Sequence, residues 1–177
     1  PPIGGLEACA ALGQGLDNVI SFQSLSKRSS APGLRSGFLA GDARIIERYG
    51  QFVTFGGSPL PLPVLHASTA LWRDDGHVAE NRAYYAENFR LAEEILRPRT
   101  DVYIPPAGLF LWLNVGDGLA AARTLWREAA IKTLPGSLMA RDDEDGRNPG
   151  EPYLRVALVY EPEKTERGLR RLAETLF

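Results

Sequence analysis

Residues 24–37, SLSKRSSAPGLRSG, combine the residue types that could bind a phosphorylated carbonyl compound and react with it. Lys27 follows a β-branched and apolar stretch, and Arg35 lies eight positions later between two glycines. An amine that is held partly out of water becomes a nucleophile towards a carbonyl carbon. The serine hydroxyls and the guanidinium group would suit a phosphate dianion, which glycines allow the backbone to approach closely.

The same charges could instead be solvated side chains in a loop beside a strand. For a Ser-x-Ser-Lys sequence taken alone, that interpretation is the favoured one. The complete segment is far more specific, because the lysine, the hydroxyl residues and the flanked arginine occur together.

A second candidate is an arginine in the middle of an apolar stretch, YLRVALVY at residues 153–160. Strand alternation places Arg155 on one face with Tyr153, Ala157 and Val159. A guanidinium group in such surroundings is costly unless it is paired with an anion. The residues alone favour a carboxylate of the protein itself as that anion, in a salt bridge.

Alternation, capping and breaker signals predict the elements that position these residues. Strands, the first of them buried, are predicted over 18–25, 36–41, 101–104, 109–115, 131–134 and 153–160. Helices are predicted to begin after Asp42 and at Val64, and to cover 77–96, 117–130 and 163–177. Glycines and prolines between 56 and 63, and polar residues over 141–151, predict loops. The helix over 77–96 is long enough to bridge two structural units. The residue pattern changes after Pro98, so we predict a domain boundary near residue 97.

The overall composition excludes several classes of protein. The chain has 177 residues, 44% of them apolar, and a net charge of −2, which argues against nucleic-acid and anionic-membrane partners. Its single cysteine, Cys9, rules out an internal disulfide framework. The acidic run 142–146 and the pair His66 and His77 lack the ligand spacing of metal sites, so no metal is predicted. These features predict a soluble, cytoplasmic, globular protein without a membrane span.

The lysine segment resembles the pyridoxal-phosphate signature of the class I and II aminotransferases, which have fold type I. By this resemblance Lys27 is the catalytic lysine that binds the cofactor pyridoxal 5'-phosphate covalently. Ser24 and Arg35 would hold the cofactor phosphate, and Ser26 would lie in the cofactor loop. One departure is Ser36, where the family pattern usually has an apolar residue.

Further segments resemble the same family. Arg155 falls where the family has the arginine that binds the substrate α-carboxylate. Residues 106–112 resemble the strand that opens the small domain and lines the substrate cleft, although Phe110 and Trp112 could equally be core aromatics. Residues 134–137 resemble the short turn on the substrate side.

The resemblance implies an α/β fold made of two parts. Residues 1–97 would be the end of the large cofactor-binding domain with its interdomain helix, and residues 98–177 the small α+β C-terminal domain. Family members carry further cofactor residues upstream, among them an aspartate that pairs with the pyridine nitrogen. The chain is therefore expected to be a C-terminal portion whose active site is incomplete and inactive alone.

Residues 23–29 and 139–159 resemble the bacterial succinyldiaminopimelate aminotransferases in particular. The implied substrates are small amino and keto acids, namely N-succinyl-2-amino-6-ketopimelate and glutamate, in lysine and diaminopimelate biosynthesis. A homodimer is implied as well. Four alternatives stay open: another class I or II aminotransferase, a carbon–sulfur lyase of the same fold, the aminotransferase-like domain of a transcription regulator, and a non-catalytic domain fragment.

Overall fold

A computed structural model describes residues 3–57 and 59–177 of the chain. The chain divides into two units, Pro1–Ala79 and Glu80–Phe177. The first unit contains, in chain order, α1 (Gly5–Ala11), β1 (Ile20–Ser24), α2 (Leu25–Arg28), β2 (Gly37–Gly41), α3 (Ala43–Gly56), α4 (Leu62–Arg73) and the start of α5 (Gly76–Leu96). The second contains the rest of α5, β3 (Phe110–Asn114), α6 (Gly118–Ala129), β4 (Leu134–Pro135), β5 (Tyr153–Ala157) and α7 (Pro162–Leu176).

In the first unit, β1 and β2 form an antiparallel pair in which Ser24 lies opposite Gly37. The strands approach each other so closely that glycine is required at both ends of β2. A Cβ atom at Gly37 would collide with the carbonyl oxygen of Gln23, and one at Gly41 with the carbonyl oxygen of Val19. The glycines of this segment therefore serve the strand pairing itself.

The prediction of a strand near residues 18–25 is confirmed, but the prediction that it is buried is wrong. Three of the five residues of β1 are exposed, and the side chain of Phe22 is 75% exposed. Within the described residues β1 pairs with β2 alone, and nothing covers the face that carries Phe22. Apolar composition indicates the strand, but it does not indicate what covers it.

The carboxylate of Asp42 joins the end of β2 to the start of α3. It is buried and accepts hydrogen bonds from the backbone N–H groups of Asn18, at 2.8 Å, and Arg44, at 2.9 Å. The Arg44 guanidinium donates to it as well, through Nη2 at 2.8 Å. This last bond, followed by the one from Asn18, holds the pKa of Asp42 far below its ordinary value. The predicted role of Asp42 as the N-cap of a helix is confirmed.

The second unit is built on a three-stranded antiparallel sheet with the strand order β3-β5-β4. One face of the sheet is apolar and buried, because alternate residues of the strands contribute Leu111, Leu113, Leu154 and Val156. These side chains form one core with apolar residues of the three surrounding helices, among them Leu96 of α5, Leu125 of α6 and Leu169 and Leu172 of α7. The helices therefore cover one face of the sheet.

A buried asparagine of α5 explains why β5 is shorter than the predicted strand over 153–160. Asn88 is fully buried, and its Nδ2 atom donates to the carbonyl oxygens of Leu158, at 3.0 Å, and Tyr160, at 2.9 Å. The Tyr160 carbonyl also accepts from Thr165 Oγ1 at 2.8 Å. These carbonyl groups bind side chains instead of a neighbouring strand, and the chain turns towards α7.

Two other predictions need correction. The strand predicted over 101–104 is absent from this described segment, although Val102 is buried in the core. Pro105 and Pro106 follow directly, and proline has no N–H group with which to continue a strand pairing. The strand predicted over 131–134 is displaced to Leu134–Pro135.

The helices predicted over 77–96, 117–130 and 163–177 are confirmed to within two residues at each end, and so is the predicted helix start at Val64. The two units divide inside α5, between Ala79 and Glu80, whereas the predicted domain boundary near residue 97 follows the end of that helix. That boundary stays a prediction. Among the described residues, no helix is both long enough and apolar enough to cross a membrane.

A large-to-small substitution tests the core of the second unit. Leu154 is 0% exposed, so we expect Leu154→Ala to lower the free energy of unfolding by about 2–5 kcal/mol through lost burial and a residual cavity. Leu138 is 71% exposed, and Leu138→Ala should change the free energy by less than about 0.5 kcal/mol. Urea unfolding of both variants, followed by circular dichroism, measures the difference. Equal values for the two variants would contradict the assigned packing.

The buried carboxylate at the β2–α3 junction predicts a pH dependence. The unfolded chain binds a proton at Asp42 near the ordinary pKa of 3.8, whereas the folded-state pKa is lower. The stabilisation is therefore complete above that pH and is lost as the pH falls towards the folded-state value. Between pH 7 and pH 3, urea unfolding should show a smaller loss of stability for Asp42→Asn than for the wild-type chain. Glu128→Gln, which changes an exposed carboxylate, serves as the control and should retain the wild-type slope.

Candidate functional site

Lys27 lies in α2, a helix of one turn that directly follows β1. Ser24 is the N-cap of this helix, and its Oγ accepts a hydrogen bond from the backbone N–H of Ser26 at 3.1 Å. Leu25 is 0% exposed, and its N–H donates to the carbonyl of Ser36 in the segment that leads into β2. The Lys27 side chain itself is exposed. The expectation that it is held partly out of water is therefore wrong for the described residues, which leave that side of α2 open.

Arg35 follows a short 3-10 turn, Pro32–Leu34, and has left-handed backbone angles with φ at 51°. Such a conformation costs a non-glycine residue roughly 1–2 kcal/mol. Its guanidinium group donates through Nη1 to the carbonyl of Pro32 at 2.9 Å, and the side chain is otherwise exposed. A guanidinium group has five N–H donors, so several of them are left for an anion.

The structure brings the four predicted cofactor residues to one end of the β1–β2 pair. Ser24 lies opposite Gly37 in the strand register, and Arg35 is two residues before Gly37 in the chain. Ser26 and Lys27 follow Ser24 directly in α2. Ser24, Lys27 and Arg35 are all exposed and lie at the same end of the strand pair. This donor set could hold a phosphate and offer an amine to a carbonyl group.

Arg28 was not identified from the sequence, yet it has the most extensive side-chain contacts in this segment. Its guanidinium donates to the carbonyl of Leu71 at 2.9 Å and to Asp75 Oδ1 at 2.5 Å. It also lies over the ring of Trp72, 5.0 Å from the ring centroid. The Arg28 side chain is 19% exposed, in contrast to the exposed Lys27 beside it.

His77 was considered in the sequence only as a metal ligand, and the structure gives it a different role. Its Nε2 atom lies 2.8 Å from Ser29 Oγ, and its Nδ1 atom lies 2.9 Å from Asp74 Oδ2. The hydrogen bond from His77 is the main cause that lowers the pKa of Asp74, and the bond from the Gly76 N–H adds to it. The sequence DDGH at residues 74–77 marks this junction, but its partner Ser29 lies 48 positions away.

Arg155 lies in the second unit, on the sheet face opposite the helices. It occupies the middle of β5, where it pairs with Trp112 of β3 and Leu134 of β4. Its guanidinium carbon is 4.7 Å from the centroid of the Phe110 ring, and its Nε atom is buried without a hydrogen-bond partner in the described chain. A salt bridge between Arg155 and a carboxylate is not found in the described ranges, so the residue does not have the protein anion that the sequence favoured.

Aromatic side chains surround Arg155 on this open face. Trp112 stacks on Tyr153 with a centroid distance of 5.4 Å and an interplanar angle of 20°. The Trp112 ring also lies against Gly136, where a Cβ atom would approach the ring to 2.9 Å. Phe110 is 38% exposed. Phe110 and Trp112 are therefore not core residues, because the core lies on the other face of the sheet.

Known proteins match the chain over nearly its whole length. Residues 4–172 match the family model described as aminotransferase class I and II. The chain is 31% identical to the 4-dedimethylamino-4-oxo-anhydrotetracycline transaminase of Streptomyces rimosus over 92% of its length, and 29% identical to an LL-diaminopimelate aminotransferase of Dehalococcoides mccartyi over 97%. It spans 44% and 43% of these two proteins, less than half of either.

Solved structures agree with these matches. An aminotransferase from Neisseria meningitidis superposes with a TM-score of 0.91 and 44% identity, and the match covers 99% of this chain and 45% of that one. A probable N-succinyldiaminopimelate aminotransferase from Thermus thermophilus superposes with a TM-score of 0.74 and 25% identity, over 92% of this chain and 43% of that one. The predicted α/β fold of a fold-type-I transferase is confirmed by these neighbours. The chain belongs to the class I and II aminotransferase family.

Proposed function

We propose that this chain supplies the reactive lysine, the phosphate-binding groups and the carboxylate-binding arginine of a pyridoxal 5'-phosphate-dependent aminotransferase. The observation that carries the proposal is the exposed Lys27 in α2, flanked by Ser24 and Arg35 at the same end of the β1–β2 pair. Membership of the aminotransferase family supports it.

The donor set at this end of the strand pair fits the cofactor. The cofactor aldehyde needs an accessible amine, which Lys27 offers. The phosphate dianion needs hydrogen-bond donors. The Ser24 hydroxyl accepts from the Ser26 N–H and so keeps its own proton to donate, and Arg35 uses one N–H group on Pro32. In this proposal Ser24 and Arg35 bind the phosphate, and Ser26 shapes the loop around it.

The chain's own residues then have two tasks. When bound, the cofactor supplies an electron sink that stabilises negative charge at the substrate α-carbon. Lys27 acts as the general base that takes the proton from that carbon and as the general acid that returns a proton. An exposed side chain with several rotatable bonds suits this task, because the amine has to bind the cofactor and also to move the proton.

Arg155 binds the substrate α-carboxylate in this proposal. Its Nε atom is buried without a partner, and its guanidinium group is held over the Phe110 ring on the open sheet face. The terminal N–H groups of this guanidinium have no carboxylate partner in the described ranges, and a bound substrate carboxylate would supply an acceptor for them. Amino donors and keto acids share this carboxylate, so one arginine can orient both substrates.

The proposed substrate pair is N-succinyl-2-amino-6-ketopimelate with glutamate as the amino donor, in lysine and diaminopimelate biosynthesis. The likeness to a probable N-succinyldiaminopimelate aminotransferase and to an LL-diaminopimelate aminotransferase supports this choice. The family resemblance supports a homodimer, and the single cysteine supports a cytoplasmic location.

Glutamate-dependent amination of the succinylated keto acid, compared with cleavage of cystathionine, separates this activity from that of a carbon–sulfur lyase.

Borohydride reduction in the presence of pyridoxal 5'-phosphate tests the lysine. The chain contains three lysines, Lys27, Lys132 and Lys164. We expect peptide mapping of the 177-residue chain, and of the longest natural polypeptide that contains it, to find the reduced adduct on Lys27. Lys27→Ala should abolish specific labelling, and Lys164→Ala should leave it unchanged. Labelling spread evenly over the lysines of the longer polypeptide would refute the assignment.

The arginine predicts a separate effect on substrate binding. In the longest natural polypeptide, Arg155→Gln should raise the KM for carboxylate substrates roughly 10- to 100-fold, because charge-assisted hydrogen bonds are lost. The affinity for pyridoxal 5'-phosphate should stay unchanged. Arg141→Gln, which changes an exposed arginine in the loop before β5, is the matched control. Loss of cofactor affinity together with the rise in KM would contradict the assignment of Arg155 to the substrate alone.

A further inference from the structure

The lysine-bearing helix is too short to hold its own conformation. α2 has four residues, and isolated helices of fewer than about 12 residues are marginal in water even for favourable sequences. Its first residue, Leu25, is buried, and Ser24 caps its N-terminus. These contacts secure the start of the turn. The segment after Lys27 needs anchors of its own.

Arg28 provides the first of these anchors. Its guanidinium binds the carbonyl of Leu71, one of the last carbonyl groups of α4, which have no partner inside their own helix. The same group pairs with Asp75, in the link between α4 and α5, and packs over the ring of Trp72. One side chain thus joins the lysine turn to three residues at the α4–α5 junction, Leu71, Trp72 and Asp75.

Ser29 provides the second anchor through His77. The imidazole ring bridges Ser29 Oγ and the carboxylate of Asp74, at 2.8 Å and 2.9 Å. Asp74 also accepts from the Gly76 N–H at 2.8 Å, which fixes the start of α5. Both residues that follow Lys27 are therefore bound to the same short stretch, residues 71–77.

The two anchors determine the direction of the Lys27 side chain. Successive side chains on a helix point about 100° apart, so Lys27 points about 100° away from Arg28 and about 200° away from the buried Leu25. The exposure of the two residues agrees with this geometry, because the Arg28 side chain is 19% exposed and Lys27 is exposed. If Arg28 were released, α2 could rotate or unwind, and the amine would leave its place beside Ser24.

We infer that Arg28 and His77 are positioning residues that clamp the lysine turn to the α4–α5 junction and so aim Lys27 at its carbonyl partner. This inference rests on the proposed function for its chemical meaning. The clamp, defined by Arg28, Ser29, Asp74, Asp75 and His77, acts through the backbone of α2.

The first test measures labelling and not turnover. In the longest natural polypeptide, Arg28→Gln and His77→Gln should slow the borohydride-dependent labelling of Lys27 by pyridoxal 5'-phosphate roughly 10- to 100-fold, because a misplaced amine reacts poorly. Asp42→Asn is the matched control, since it removes a hydrogen-bonded charge from the same unit outside the clamp. Arg28→Lys, which keeps the charge, should recover part of the rate.

A second measurement does not depend on the cofactor. The N–H groups of Ser29 and Ala31 both donate to the carbonyl of Leu25, so their hydrogen exchange reports on the lysine turn. Exchange of a peptide covering 25–31 should accelerate more in Arg28→Gln and His77→Gln than in Asp42→Asn, which loosens the β2–α3 junction outside the clamp. A variant that labels poorly only because the whole unit is less stable would show faster exchange throughout the unit. A variant that releases the clamp would show it mainly in residues 25–31.

The outcomes separate the two proposals. Unchanged labelling and exchange in both clamp variants would overturn the inference, as would an equal effect of Asp42→Asn. If the wild-type polypeptide does not label Lys27, the proposed function fails, and the exchange data alone decide whether the clamp exists. Slow labelling with fast exchange, confined to the clamp variants and partly reversed in Arg28→Lys, supports the inference.

Discussion

A single turn of helix that carries a reactive side chain has to be held from outside, and this constraint organises the first unit. α2 makes too few internal hydrogen bonds to persist alone, and in the proposed function its exposed lysine has to stay accessible. Burial of Leu25, the cap from Ser24 and the side-chain contacts of Arg28 and Ser29 therefore surround Lys27 on both sides in the sequence. Lys27 stays exposed while Leu25, Arg28 and Ser29 are held by their contacts.

In the second unit, one strand of the sheet carries both core residues and the exposed-face residue Arg155. Alternation along β5 directs Leu154 and Val156 into the core and directs Tyr153 and Arg155 to the open face. The core side needs no polar partner, whereas the open side leaves a buried Nε donor of Arg155 without one. A strand can thus stabilise the unit with one set of residues and keep a binding group available with the other.

Much of this arrangement could be predicted from the sequence, because its signals are local. Asp42 as an N-cap, the helix that ends at Leu96 and the alternation around Arg155 follow from spacing and residue type. The contacts of Arg28 and His77 could not be predicted, because their partners are 43 to 48 positions away and consist partly of a backbone carbonyl. The end of β5 was missed for the same reason, since a side chain of α5, Asn88, accounts for it. The exposure of Phe22 was missed because composition does not show what lies across a strand.

The left-handed backbone at Arg35 lowers stability, whereas the proposed phosphate-binding role requires the arginine side chain. Glycine or asparagine at this position would relieve conformational strain, so selection for thermal resistance alone would favour them over arginine. Either replacement would remove the only guanidinium group placed between the two glycines of the loop. A residue that a stability-guided design would change is thus one that the proposed phosphate-binding role would keep. Position 35 is therefore a site where thermostability engineering should be checked against cofactor affinity.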